Sequence, residues 1–284
     1  MIRLDAATVL LQWAVGGLLF LWVTTRAREV GIGYGWLLRG VYLAMALGAF
    51  AAGVALDPVP VREASSLAVA AAAGGALAVS IVRRRAGVAG ERARVARRSA
   101  RVSAMTGIDR RPEGPDEEVP EFPPVLDLVA PLAGLPGLVA AGIAAGDPAL
   151  LSVVRVLVGA AFLGSISDGM LLGHWYLVQP GLARRPLLEM VRWTGIVWPF
   201  EIAVLLWPVG MVSVLNGTID DGYGGVFGWF WVACAVTTIG LVVVTRAALR
   251  ERYYSAVMAA TGLLYLAILT AFGTDLVARA VLAS

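Results

Sequence analysis

Long apolar stretches alternate with short polar gaps along the whole chain. Eight stretches, 6–25, 36–56, 64–82, 125–145, 150–176, 191–215, 226–245 and 255–282, each supply about the 20 largely apolar residues that a helix needs to span hydrocarbon. The pattern predicts an all-α fold, a polytopic transmembrane helix bundle of about eight spans. The fourth stretch is the weakest, because Asp127, Pro131 and Pro136 interrupt it. Its Gly and Ala content still suits a helix packed among neighbours. Residues 1–5 are barely basic and the stretch after them is of spanning length, so 6–25 reads as a retained first helix rather than a cleaved signal.

The polar gaps set an orientation. All 23 basic residues are arginine. Eighteen of them fall in or at the edge of the first, third, fifth and seventh gaps, counting Arg192 at the start of the sixth stretch with the fifth gap, and the third gap alone holds ten, from Arg83 to Arg111. Arg3, Arg62 and Arg279 belong to the other side, while Arg39 and Arg155 lie within or at the edges of spans. Basic residues gather on the cytoplasmic side of membrane proteins. The expected topology therefore has both termini non-cytoplasmic and the long third gap in the cytoplasm of a bacterial inner membrane.

Composition agrees with lipid as the solvent. The chain is 59% hydrophobic and 15% charged, against about 25% charged in soluble domains. Its net charge of +3 sits beside spans, where it meets anionic lipid headgroups, and does not indicate nucleic acid. The single Cys234 excludes a disulfide within the chain and a multi-cysteine metal site. The single His174 excludes a haem held by two histidines of this chain.

Three regions follow. Residues 1–82 form a three-span N-terminal bundle and 125–284 a five-span C-terminal bundle. Between them, 83–124 divides into a basic helix and a Pro- and acid-rich linker from 107 onwards. Val88, Val95 and Val102 give the basic helix one apolar stripe. It reads as an extension of the third helix against anionic headgroups, or as a docking surface for another subunit through 83–106.

Ionisable groups at membrane depth cost about 2.5–3.5 kcal/mol each, so each needs a partner or a use. The densest run of them, 164–180, holds Asp168, His174, Trp175 and Tyr176. Helical spacing puts Ser165, Asp168 and Leu172 on one face and Ser167, Met170 and His174 on another. His174 could pass a proton to a quinone, serve as the one axial ligand of a haem with Met170 or another group opposite, contact a lipid phosphate, or sit in an interfacial aromatic belt. The second run, 192–201, holds Arg192 and Glu201, with Pro199 between them. Glu201 reads as near the middle of its span, either paired with an arginine of another helix or acting as a proton-relay carboxyl. Arg155 reads as too far outward to be that partner, and Arg39 or Arg192 as a partner for Asp168. Asp127 reads as complementing a helix dipole, and Asp275 as solvated at the outer interface.

No motif in the chain names a chemistry. In topology alone, eight spans with both termini outside resemble the quinol-handling membrane anchors of bacterial redox complexes. Three functions fit the residues. The first is a redox or respiratory-type membrane subunit that handles quinone or protons through His174 and Asp168. The second is a small-molecule or lipid permease built around Glu201, and the third a non-catalytic scaffold.

Overall fold

The computed structural model describes residues 4–106, 120–179, 181–207 and 210–283. Of the predicted linker, 107–124, residues 107–119 lie outside them, as does Arg3. Among the described residues every regular element is helical: α1 (Ala6–Thr25), α2 (Ile32–Leu56), α3 (Pro60–Val82), α4 (Ala89–Thr106), α5 (Val129–Ala144), α6 (Ala149–Val178), α7 (Arg185–Leu206), α8 (Met211–Leu215), α9 (Val226–Ala248) and α10 (Tyr254–Val281). Seven of these are long and apolar enough to cross a membrane: α1, α2, α3, α5 with the 3-10 turn that leads into it, α6, α9 and α10. The chain is thus a polytopic helical bundle with membrane-competent helices.

Local chemistry explains where several helices begin. The Asp5 carboxylate caps α1 by accepting from the Ala7 and Thr8 amides. Pro60 occupies the first turn of α3, where its missing N–H costs nothing. Asp221 holds the entry to α9 by accepting from the Tyr223, Gly225 and Phe227 amides.

α1 and α6 form the centre. α1 packs against α2, α5 and α6, and α6 against α1, α5, α7 and α10. α3 closes over α2 and α5, while α9 closes over α10 and α7. Leu11, Leu18, Leu21, Phe162, Leu163 and Ile166 fill the space between them. The outside is apolar too, with Leu132, Val236, Val243, Leu266 and Leu269 exposed. Four arginines, by contrast, rank among the largest fully buried side chains. That inversion suits a lipid surround and not water.

α1 and α6 approach backbone to backbone. A Cβ on Gly16 would collide with the Ala160 carbonyl, and one on Gly164 with the Gly16 backbone. This is the close contact between small residues that lipid-embedded helices use. At Gly74–Gly75 the contact is with a side chain instead: a Cβ on Gly74 would stand 3.1 Å from Leu43 of α2, while Gly75 has nothing within 4 Å.

Two expectations need correction. The stretch 191–215 is not one span: α7 stops at Leu206, and the short α8 resumes at Met211. Trp207 adopts extended backbone, as the residue before a proline is driven to do. With Arg185, Glu189, Arg192 and Glu201 in 22 residues, α7 also falls outside the seven membrane-competent helices. Pro208 lies outside the described residues. The basic segment is likewise not an extension of α3. A 3-10 turn at Arg84–Ala86 and Gly87, at φ +58°, end that helix, and α4 starts afresh. The Gly90 amide of α4 donates to the Arg28 carbonyl in the turn between α1 and α2.

One end of the bundle is rich in arginine. There Arg26 pairs with Glu189, Arg28 and Arg92 with Glu121, and Arg185 with Glu29. These contacts draw the ends of α1, α4 and α7 to a single face. Asp5, Asp57 and Arg62 mark the opposite end.

Candidate functional site

Four helices bring buried polar groups to one level near the end opposite the arginines. Gln12, Arg155 and Asp275 each lie six residues from a helix end and Glu201 five, a depth of about 7–9 Å at 1.5 Å per residue. Arg279 donates from Nε to Asp275 Oδ2 at 2.7 Å, and from Nη2 to the Gln12 side-chain oxygen. Arg155 donates to the Val204 carbonyl at 2.8 Å and the Trp207 carbonyl at 3.1 Å, so it caps the broken end of α7. Glu201 is 1% exposed, and neither of its oxygens accepts a hydrogen bond. Asp275, Arg279 and Arg155 are its charged neighbours. Gln12 Nε2 and Asp275 Oδ1 are also buried without partners.

Gly159 makes this convergence fit, because a Cβ there would strike the Gln12 amide and stand 3.3 Å from Asp275 Oδ1. With both acids ionised, the two arginines and two carboxylates sum to zero charge. A cavity of about 20 Å³, room for about one water, is lined by Asp5, Thr8, Arg62, Val156 and Arg279. It connects the guanidinium of Arg279 toward the end of the bundle marked by Asp5.

A second buried acid lies deeper. Asp168 is about 13 Å beyond Gly159 along α6, at nine residues of helical rise. It is fully buried; the Tyr42 phenol donates to its Oδ1, and its Oδ2 has no partner. The Tyr34 hydroxyl donates to the Asp168 backbone carbonyl at 3.3 Å. Tyr42 reaches it because Gly17 of α1 leaves room for the phenol ring, which a Cβ would overlap. The tight crossing of α1 and α6 at Gly16 and Gly164 separates this acid from the cluster around Glu201, called the outer cluster below for its place at the end away from the arginines.

A third buried arrangement is a lock at the arginine-rich end. Arg39 grips Asp127 with two bonds, Nε to Oδ1 at 2.7 Å and Nη2 to Oδ2 at 2.8 Å. Thr25 donates to the same carboxylate at 2.9 Å, and Arg39 reaches Ser80 at 3.1 Å and lies over the Phe122 ring. Every polar atom there has a partner, which is the mark of a structural pair.

The residues singled out in the sequence separate. Asp168 turns inward and His174 outward, as their helical spacing predicted. His174 is exposed, with Nδ1 3.2 Å from the Tyr265 hydroxyl of α10. Met170 precedes it by one turn on the same helix, so the two cannot oppose each other across a haem. Trp175 bonds Gln179 at 2.9 Å, and the buried Tyr176 hydroxyl donates to the Ala183 carbonyl, closing the turn into α7. Arg192 is exposed on α7. Among the described residues no three His, Cys, Asp or Glu side chains converge as metal ligands.

Several pairings differ from the expected ones. Asp168 meets Tyr42, because Asp127 engages Arg39 and Arg192 faces outward. Arg155 is a neighbour of Glu201 after all, since the break at Trp207 places Glu201 near the end of α7 instead of mid-span. Asp127 is an ion-pair partner, and Asp275 is buried and not solvated. Gln12 and Tyr42 carried no sequence signal. The spacing of Asp275 and Arg279, four apart on one helix face, was the signal available for that pair.

No protein-family model matches the chain, and no curated protein or solved structure matches it significantly.

Proposed function

We propose that this protein handles protons within the membrane, as the integral subunit of a redox or respiratory-type assembly in the cytoplasmic membrane of a bacterium. Glu201 carries the reading. A carboxyl group that is fully buried, accepts no hydrogen bond and lies in the field of two guanidinium groups and a second carboxyl is poorly suited to be structural glue. Glue satisfies its polar atoms, as Arg39 and Asp127 do. The cluster is neutral with both acids ionised, and when it binds one proton the remaining carboxylate still offsets one of its two guanidinium charges. Asp168, held by Tyr42, is the deeper station on the same helix. A quinone entering from the bilayer would meet the His174–Tyr265 pair on the outer surface of α6 and α10.

In this reading α7 crosses the membrane as the eighth helix despite its charge, because Glu201 is inside the bundle. Both termini then face outward and the arginine-rich end lies in the cytoplasm. α4 is the surface on which a soluble subunit of the assembly would dock.

One observation favours a transporter as the second reading. α7 breaks beside a buried acid, and Arg155 takes up the carbonyls at the break. Discontinuous helices beside buried charge mark substrate sites in transporters. Protein reconstituted in vesicles with an internal pH-sensitive dye separates the two. Under an imposed potential, proton flux without added substrate that Glu201→Gln abolishes supports the first reading. Flux that appears only with an added small molecule supports the second. Absence of either, with Glu201→Gln and Asp168→Asn altering abundance alone, would leave only a scaffold.

A further inference from the structure

At the arginine-rich end a groove of about 510 Å³ runs between α7 and α9, lined by Arg185, Leu188, Glu189, Arg192, Arg246 and Arg250. Its four arginines are exposed. Glu189 already engages Arg26, and Arg185 has only a 4.0 Å contact with Glu29. Among the described residues Arg192, Arg246 and Arg250 take part in no ion pair. Positive charge is therefore in excess here, since Glu189 and Glu29 offset only part of it.

The groove is also firmly held. The Trp198 indole of α7 donates to the Ala235 carbonyl of α9 at 3.1 Å. Arg184 ties the start of α7 to the turn after α9 through the Leu249 carbonyl at 3.2 Å and the Tyr253 carbonyl at 2.9 Å. The walls change character toward the membrane. One turn beyond Arg192 comes Ile196, and one turn before Arg246 comes Val243, both exposed. Toward the middle of each helix, an exposed apolar side chain thus follows the arginine on the same face.

We infer that this groove is a binding site for an anionic phospholipid. The phosphate lies among Arg192, Arg246 and Arg250, and an acyl chain lies along Ile196 and Val243. Guanidinium groups pair with phosphate oxygens through two parallel bonds. Basic pockets between helices at the cytoplasmic surface suit anionic headgroups. A free phosphate would use only the mouth, and an acidic protein segment would have no use for apolar walls at membrane depth. The site rests on the reading in which α7 crosses the membrane with its arginines at the cytoplasmic surface, but not on Glu201 or on proton handling.

The test uses purified, delipidated full-length protein, titrated with phosphatidylglycerol or phosphatidylcholine and read by native mass spectrometry. One phosphatidylglycerol should be retained at least tenfold more strongly than phosphatidylcholine. Each arginine near an anionic headgroup contributes about 1 kcal/mol, roughly fivefold in affinity. The triple variant Arg192→Gln, Arg246→Gln, Arg250→Gln should then bind on the order of a hundredfold more weakly. Arg252→Gln, which removes an exposed charge just outside the groove, should leave binding within a few fold. If the triple variant does not fold, the exposed pair Arg246→Gln, Arg250→Gln answers the same question with a smaller loss. Equal retention of the two lipids overturns the assignment, as does undiminished binding by the groove variants. Displacement by inorganic phosphate at the lipid's own concentration overturns it in favour of a free-anion site. Displacement by a polyglutamate peptide overturns it in favour of a protein partner.

Discussion

Gly159 of α6 lies directly against the side-chain amide of Gln12 on α1, with no room between them for even one methyl group. The same position is a near neighbour of Asp275 on α10. Absence of a side chain at one site thus lets α1 and α10 bring their polar groups together beside Glu201 and Arg155. The cluster is as much a consequence of that glycine as of its charged residues.

Gly159→Ala is therefore expected to destabilise the protein by about 1–3 kcal/mol, the cost of overpacking a close contact. It should also lower proton flux by displacing Gln12 and Asp275. Adding Gln12→Ala makes room for the new methyl, so the double variant should recover part of the lost stability. Thermal unfolding in detergent of the two single variants and the double checks this. Strict additivity would show that the contact does not govern the site.

The Arg39–Asp127 lock makes the opposite kind of prediction. Either Arg39→Ala or Asp127→Ala leaves a buried charge without its partner, at a cost of about 3–5 kcal/mol. The paired replacement Arg39→Met, Asp127→Leu removes both charges while filling similar volume, and it should cost far less than either single change. Equilibrium unfolding of the three variants reports the difference. Proton flux should survive in the paired variant, because this lock is separate from the outer cluster.

Asp221 gives a pH prediction outside the membrane-spanning segments. Backbone N–H groups, Gly225 first and then Tyr223, Phe227 and Gly228, hold its carboxyl below the usual aspartate range. A depressed native value means that the stabilisation is complete above the unfolded value of about 3.9 and is lost only as pH falls through the lower native value. Exchange of the Gly225 and Phe227 amides, corrected for intrinsic rate, should stay slow through that range and speed up below it. Asp221→Asn should remove the pH step and leave the entry to α9 looser at every pH.

Much of the fold was legible because lipid imposes a simple rule: each spanning segment must be a long apolar helix. Seven of the eight predicted stretches coincide with helices of spanning length and composition. The eighth was misread at its end. Hydropathy averages across a break, and the extended conformation of Trp207 comes from one following proline. The two faces of α6 were also legible, since Asp168 and His174 differ by six residues and a helix must part them.

The partners were not legible. Tyr42 meets Asp168 across 126 residues of chain, Arg39 meets Asp127 across 88, and Gln12 meets Arg279 across 267. Periodicity is local and says which side of a helix a residue occupies, never which other helix lies opposite. By itself the amino-acid order determined that the chain makes apolar helices and that its arginines cluster in alternate gaps, because solvation acts residue by residue. Only the tertiary structure decided which buried acid is locked and which is left without donors. That depends on helix crossings, and the crossings depend on contacts such as Gly16 with Gly164 that join distant parts of the chain.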